Sequence, residues 1–176
     1  PLDDLVKKHG KGLKKNQHIT IDGQIIAVAI MANAQHLVYR KDILKKLNID
    51  VPKTYEDMLA AAKEIRASGL VKNPVGGAYK AGWNLAQEFN NMFIGYGGSH
   101  FKGNSAEPNV NSDAGIKALK MMKSLSEYMN PDFLTHDSNA TNAEFRAGNV
   151  AIMNMWGSRA ATLVCLLYTS DAADDY

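Results

Sequence analysis

The chain has 176 residues, which is enough for one domain with a sizeable hydrophobic core. Hydrophobic residues make up 45% and charged residues 22%, the usage of an ordinary globular domain, and the formal net charge is only +2. No apolar run approaches the ~18 residues of a membrane span, so the sequence predicts no transmembrane segment.

The N-terminal segment predicts the end of a helix, because Leu2, Leu5 and Val6 share one face and Gly10 is a stop signal. Five lysines follow one another closely: Lys7, Lys8, Lys11, Lys14 and Lys15. Such a cluster can hold phosphate or nucleic acid. Here it contains no arginine and no interleaved aromatic residue, which favours a solvated helix end and argues against a nucleic-acid partner.

Two strand-like runs come next, separated by a short polar link. Residues 25–31 (IIAVAIM) follow an Asp22-Gly23 turn and are too continuously apolar for a half-exposed strand, so they predict a strand buried on both faces. Residues 37–39 (LVY) predict a second strand. Residues 32–35 (ANAQ) carry small and amide side chains without a Gly or Pro turn. This pattern fits a crossover from one sheet to another, and equally two neighbouring core strands joined by a short link.

Two helices follow, and both are predicted to serve packing rather than chemistry. Residues 41–47 form a short helix ahead of a loop that ends at Pro52. The pattern Thr54-x-x-Asp57 resembles a capping box, and apolar residues then recur at helical spacing. We therefore predict a second helix that ends at Gly69.

The next segment combines glycines with aromatic residues. Residues 74–79 predict a strand, and Gly82-Trp83 opens a helix that ends at the glycines of residues 95–98. These glycines form no phosphate-binding loop. A Walker-type loop needs a following Gly-Lys-Ser/Thr, and a dinucleotide fingerprint places its glycines between a strand and its helix.

A long helix is predicted from a cap at Ser112 to the breaker Pro131. It is rich in methionine, Met121 and Met122 among them, which could indicate a soft-metal site. The methionines follow the helical spacing and no His or Cys joins them, so we interpret them as core filling.

The last predicted elements are a short helix and a strand. The helix begins at Ser138 or at Thr141, each with capping chemistry, and ends at Gly148. Residues 150–153 (VAIM) predict a buried strand, and residues 154–159 (NMWGSR) follow it.

The stretch CLLYTSDAADD at the C-terminus resembles the in-frame translation of a transposon sequencing adapter, so we exclude residues 165–176 from fold reasoning. The alternative is a genuine polar tail. The only cysteine, Cys165, lies in this stretch, and a cysteine-free remainder is compatible with an oxidising compartment. Without Asp171, Asp174 and Asp175 the acidic count falls from 18 to 15 against 20 basic residues, which changes the net charge from +2 to +5. We expect an internal piece of a longer protein, with a tail that lacks fixed contacts.

The sequence shows no pattern typical of catalysis or metal binding. The five histidines are scattered: His9, His18, His36, His100 and His136. They have no metal-ligand spacing such as HxxxH, and no serine lies in a Gly-x-Ser-x-Gly turn. Acidic residues are spread along amphipathic helices, where a solvated face is the default interpretation. We therefore predict no metal, no cofactor and no enzymatic activity, with a catalytic pair assembled only in the folded chain as the alternative.

Four segments resemble a known family. Residues 22–42 together with residues 52–57 (PKTYED) resemble the extracellular solute-binding proteins of sugar ABC importers, the family of maltose-binding protein. Residues 39–43 (YRKDI) are similar to that family's YNKDL-like segment, which opens its second lobe. Residues 110–119 (VNSDAGIKAL) are similar to its VDNAGAKAGL-like helix. The run AEFRAGNVAIMNMW is similar to its AAFNKGETAMTINGPW-like segment, whose strand end reaches the ligand cleft.

The resemblance implies a type II periplasmic-binding-protein-like α/β fold with two lobes, present here only as a fragment. Residues 1–32 would be the end of the first lobe with the crossover strand, residues 33–164 most of the second lobe, and residues 165–176 a non-native tail. The implied function is capture of a sugar or related polyol between two lobes and its delivery to an ABC permease in the membrane. The complete protein would be a monomer in the periplasm or outside the cell, with lipid anchoring left open.

Two other classes of function stay open. One is a carbohydrate-active or other enzyme on an unrelated α/β fold, and the other is a plain interaction domain. A panel of small glycans and polyols distinguishes them, because a binder gains stability from one ligand without turnover.

A sugar site needs an aromatic plane edged by polar groups, because a pyranose presents an apolar face surrounded by hydroxyls. The candidate planes are Trp83, Trp156 and Tyr79. The candidate polar groups are Asn33, Gln35, Asn84, Asn154 and Arg159. All lie at predicted strand ends or helix starts, where an open α/β sheet places its ligand crevice. Packing in the core is the alternative for each residue taken singly.

Trp83 is expected to contribute more ligand affinity than the other candidates. Gly82 lets the chain turn closely into a helix, and we expect the first turn of that helix to expose free backbone N–H donors. Trp156 departs from the family pattern, because it comes two residues earlier, relative to Gly148, than the usual cleft tryptophan, and residues 157–159 (GSR) replace Gly-Pro-Trp. We expect Trp156 to contribute less, or to act through core packing.

Overall fold

A computed structural model describes residues 1–163 of the chain. The chain divides into two compact units, the first comprising residues 1–34 and the second beginning at Gln35. The predicted tail, residues 165–176, lies outside the described residues.

The first unit contains one helix and one hairpin. Helix α1 (Asp3–His9) ends at Gly10, as the sequence predicted, and its cap N–H bonds back to the carbonyl of Val6. Strands β1 (His18–Ile21) and β2 (Gln24–Val28) pair antiparallel. The Asp22-Gly23 turn that joins them has positive φ at both residues, 49° and 77°, which is the backbone that a two-residue hairpin requires.

The prediction of a strand buried on both faces at residues 25–31 is wrong for this unit. Strand β2 ends at Val28, and the side chains of Ile30 and Met31 are 94% and 78% exposed. None of residues 1–34 is fully buried, because the sheet of this unit has only two strands and the short helix α1 is too small to enclose them. Strand β1, with its alternating HITI sequence, was not predicted.

The second unit is built on a mixed three-stranded sheet. Its strands are β3 (Gln35–Tyr39), β4 (Val75–Gly76) and β5 (Ile152–Trp156), in the spatial order β3-β5-β4. Strand β3 runs antiparallel to β5, and β4 runs parallel to it. Strand β5 begins two residues later than the predicted strand, so Asn154 and Trp156 are strand residues rather than part of a following loop.

The first two helices of the second unit follow local signals in the sequence. Helix α2 (Lys41–Leu47) has the predicted bounds. Helix α3 (Tyr55–Ala67) has the predicted capping box, in which the Asp57 N–H donates to the Thr54 hydroxyl at 3.0 Å. The Asp57 carboxylate in turn accepts from the Thr54 N–H at 3.0 Å.

The later helices differ from prediction mainly at their ends. Helix α4 (Trp83–Gly95) begins at the predicted residue. Helix α5 (Asp113–Ser126) ends five residues before Pro131. Helix α6 (Ser138–Arg146) starts at the first of its two predicted positions, because the Asp137 carboxylate caps it by accepting from the N–H groups of Asn139 and Ala140.

The sheet separates two groups of buried side chains. On one face, α3, α4 and α5 supply residues such as Ile65, Phe93 and Leu125, which pack with Ile152 of β5. On the other face lie Phe145, Val150, Met153, Met155 and Leu163. Met121, Met122 and Met129 are all in the first group, as predicted for core-filling methionines, and Met92 of α4 packs with them. This layering fixes the end of β5 beside the start of α4.

Candidate functional site

A stacked pair of tryptophans lies where α4 begins and β5 ends. The ring centroids of Trp83 and Trp156 are 5.3 Å apart with an interplanar angle of 25°. Trp83 is 59% exposed, and Trp156 is half-buried. An indole that is stacked on one side and exposed on the other presents an apolar plane to solvent.

The backbone before Trp83 explains how the ring reaches the surface. Gly82 has φ 102° and ψ −140°, a conformation that a side chain would strain although there is open space around it. The expectation of free N–H donors in the first turn of α4 is wrong for one of these donors. The Leu85 N–H donates to the carbonyl of Lys80 at 3.2 Å, because the preceding loop folds back over the helix start.

Two amide side chains flank Trp156 on the same face of the sheet. Gln35 is directly opposite Trp156 in the antiparallel register, so the two side chains are cross-strand neighbours. Asn154 lies two residues before Trp156 on β5 and therefore also points to that face. The Asn154 amide donates to the Tyr55 hydroxyl at 3.3 Å, and the Gln35 amide donates to the Glu88 carboxylate at 3.4 Å.

Glu88, on α4, is the main residue of the candidate site that sequence reasoning missed. Its side chain is only 2% exposed, and its carboxylate also accepts from the Ala78 N–H at 3.5 Å. Burial raises the pKa of Glu88 to about 7, although hydrogen bonds from Ala78, Gln35 and Asn154 oppose that increase. The assumption that acidic residues on helices face solvent fails here. The helical spacing could have predicted its burial, because Glu88 is three residues after Leu85 and four before Met92, on the apolar stripe of α4.

The other predicted aromatic plane, Tyr79, lies in the core. Its side chain is 4% exposed and packs edge to face on Phe133, with centroids 5.7 Å apart. Its hydroxyl has no hydrogen-bond partner among the described residues, and burial together with the nearby charge of Glu88 raises the pKa of Tyr79. The Tyr79 ring therefore offers no free face to a sugar within this unit.

The remaining predicted polar residues lie in three different places. The Asn84 side chain accepts from the Ser138 N–H at 3.3 Å and so joins the starts of α4 and α6. The Arg159 guanidinium donates to the side-chain oxygen of Asn139 on α6. Asn33 belongs to the irregular segment at the end of the first unit. The second unit thus brings together Trp83, Trp156, Gln35 and Asn154.

A cavity of about 210 Å³ lies beside this group. It is lined by Leu37, Pro52, Lys53, Thr54, Tyr55, Met58 and Asn154. A cavity of about 330 Å³ lies elsewhere in the unit, between Leu70 and Asn149, and contains none of the predicted site residues. Cavity size therefore does not single out these residues, and the candidate site is defined by the exposed indole and its neighbouring amides.

Two further properties of residues 1–163 bear on the site. Within this range no three side chains of His, Cys, Asp or Glu are grouped so that they could hold a metal ion. The same range contains no helix of sufficient length and apolar character to cross a membrane.

Comparison with known proteins gives one family match. The family model described as bacterial extracellular solute-binding protein matches residues 1–164. A probable ABC transporter-binding protein of Deinococcus radiodurans is 30% identical over 159 residues, which is 86% of this chain and 37% of that protein.

Two solved structures have a similar fold, and each match covers 90% of this chain and 42% of the chain in the solved structure. One is an ABC transporter solute-binding protein of Agrobacterium radiobacter K84 in complex with ribitol, with TM-score 0.77 and 27% identity. The other is the maltose-bound MalE3 of T. maritima, with TM-score 0.77 and 22% identity. The chain thus spans about two fifths of the length of each of these three proteins.

Proposed function

Because this chain belongs to the family of bacterial extracellular solute-binding proteins, we propose that the whole protein is the sugar- or polyol-binding component of an ABC importer. The observation that carries the proposal is the stacked pair of Trp83 and Trp156, with one indole face open to solvent. The ligands named for similar proteins, ribitol and maltose, are polyhydroxylated and support the same ligand class.

The chemistry of the tryptophan pair suits such a ligand. The C–H face of a pyranose or an extended polyol packs on the exposed ring of Trp83, and Trp156 holds that ring in place from behind. The amides of Gln35 and Asn154 then bind hydroxyls at the edge of the rings. Arg159 and Asn84 are secondary candidates, since each already has a partner on or at the start of α6. Asn33 belongs to the first unit, and its part in binding stays a prediction.

The wider function follows from the family. We propose that two lobes close around the ligand, that the loaded protein delivers it to a membrane permease, and that this happens in the periplasm or outside the cell. The complete protein is proposed to act as a monomer. Proteins of this family bind solutes rather than convert them, and we propose that the ligand is released chemically unchanged.

A ligand panel on the complete protein tests the proposal. Ribitol, D-mannitol and maltose are added separately, and the melting temperature and the recovered ligand are measured. A ligand present at a hundred times its Kd adds about 2.7 kcal/mol of stability. The proposal predicts stabilisation by at least one compound without turnover. Conversion of the compound would favour an enzyme, and no stabilisation by any polyhydroxylated compound would contradict the proposal.

A further inference from the structure

Helix α4 contacts the end of β5 at two places that are five residues apart on the helix. At the first, Trp83 stacks on Trp156. At the second, the buried carboxylate of Glu88 lies against the two amides that flank Trp156, those of Gln35 and Asn154. A buried carboxylate thus lies directly behind the residues proposed to bind the ligand.

An ionised carboxylate fixes which way an amide points. It can only accept hydrogen bonds, whereas a Gln or Asn amide has a donating NH₂ end and an accepting carbonyl end. The NH₂ group of Gln35 is directed to Glu88, so its carbonyl oxygen is directed elsewhere, and the side chain is half-buried rather than enclosed. The NH₂ group of Asn154 donates to the Tyr55 hydroxyl at 3.3 Å, and its side chain lies close enough to Glu88 to lower the pKa of that carboxyl.

We propose that Glu88 is a positioning residue, whose ionised carboxylate holds the amides of Gln35 and Asn154 with their carbonyl oxygens available to ligand hydroxyls, and whose protonation releases that orientation. A protonated carboxyl donates from one oxygen, so a neighbouring amide gains by turning its carbonyl towards Glu88. The amide then presents NH₂ to the ligand. This inference rests on the proposed function, and it adds a pH dependence that the function alone does not require.

Among the groups that face one another around Glu88, Glu88 itself is the one that gains or loses a proton near neutral pH. Tyr55 on α3 and Tyr79 after β4 are the titratable neighbours, and burial raises the pKa of Tyr55 to about 12 and that of Tyr79 further. Strands β3 and β5 contribute only the uncharged Gln35 and Asn154. No lysine, arginine or histidine in residues 1–163 forms an ion pair with Glu88.

The test measures ligand affinity between pH 5.5 and 8.5 by calorimetry, on the complete protein, with ribitol, D-mannitol and maltose as probes. Loss of one oriented hydrogen bond corresponds to about a three- to tenfold weaker Kd at pH 5.5 than at pH 8.5. In Glu88→Gln this dependence should disappear, and in the control Glu64→Gln, an exposed glutamate on α3, it should persist. A pH-independent Kd, or the same profile in wild type and Glu88→Gln, would overturn the proposal.

A second readout needs no ligand and separates this inference from the proposed function. Stacked indoles give a coupled circular dichroism signal, so the Trp83–Trp156 pair reports its own geometry. We expect that signal to change with pH in the wild type and not in Glu88→Gln, or in Glu88→Met if the glutamine variant does not fold. If no probe binds but the signal behaves in this way, the positioning role stands and the proposed function fails. If the signal is the same at every pH, the positioning role fails.

Discussion

At the scale of single side chains, Trp83 is the most informative residue of the candidate site. It is the exposed member of the stacked pair, so removing it deletes the plane proposed to face the ligand while disturbing little of the core. Trp156 supports that plane from a half-buried position at the end of β5. The two residues therefore have different expected effects on binding and on stability.

Trp83→Ala in the complete protein should weaken ligand binding by about 2–4 kcal/mol, because the stacked contact and its buried apolar area are both lost. Calorimetry measures this loss, and Trp156→Ala should cost less. Phe101→Ala is a suitable control, because Phe101 is an exposed aromatic residue beyond the other end of α4. Unchanged affinity together with a lower melting temperature in Trp83→Ala would mean that Trp83 is a packing residue.

The buried carboxyl of Glu88 should make folding stability depend on pH. Its pKa is about 7 in the folded protein, against 4.5 for an exposed glutamate, so the folded state binds the proton more tightly. Tighter proton binding adds about 3 kcal/mol to the free energy of unfolding. This stabilisation is fully present below about pH 4.5 and is lost as pH rises through 7. Urea denaturation of wild type and Glu88→Gln from pH 5 to 8 measures it. Equal pH slopes in the two proteins would show that Glu88 does not titrate in this range.

At the scale of elements, helix starts follow short sequence signals closely. The capping box of Thr54 and Asp57 defines the start of α3, and Asp137 defines the start of α6. Helix ends are less regular, as the early end of α5 at Ser126 shows. The physical difference is that a side-chain cap satisfies specific N–H groups at the start, whereas the end depends on where the chain must turn to pack.

Thr54→Ala should lower the free energy of unfolding by about 1 kcal/mol, because it removes the acceptor for the Asp57 N–H at 3.0 Å. Ser112→Ala, at the start of α5, is the matched comparison and should cost less, since its bond to the Gly115 N–H is 3.5 Å long. Chemical denaturation of both variants tests the order. A larger loss in Ser112→Ala would contradict the link between cap geometry and stability.

At the scale of the whole molecule, the chain has the α/β architecture of periplasmic solute-binding proteins, which confirms the fold class expected from the sequence. Its two units differ in how much core they contain. The second encloses the three-stranded sheet between buried side chains on both faces. The first leaves Ile19, Ile21, Ile26, Ile30 and Met31 exposed. Side chains of this kind, next to the edges of a two-stranded hairpin, favour association.

Residues 1–164 expressed alone are therefore expected to self-associate rather than to unfold as a cooperative monomer. Analytical ultracentrifugation across a range of concentrations measures the association, and substituting Ile30 and Met31 by serine should reduce it. The matched control substitutes Leu134 by serine, an exposed apolar residue of the second unit. A concentration-independent monomer with a single cooperative transition would contradict this expectation.

Much of the framework could be predicted from the sequence, because its signals act over a few residues. The Asp22-Gly23 turn, the Thr54 cap and the Gly82 turn before Trp83 each set local backbone geometry directly. Apolar spacing located the helices, and family-like segments indicated the fold. Each of these features depends on neighbours close in sequence, so the amino-acid sequence alone was sufficient to predict them.

Tertiary structure alone decided which side chains meet and which are buried. Trp83 and Trp156 are 73 residues apart, and only the packing of α4 against β5 stacks their rings. In sequence, Tyr79 is a candidate plane for a sugar, but in the fold its ring packs on Phe133 in the core. Glu88 likewise resembles an exposed helix glutamate in sequence, but in the fold it is buried beside Ala78, Gln35 and Asn154. Burial and pairing depend on surfaces supplied by remote parts of the chain, and no local pattern encodes what those surfaces will be.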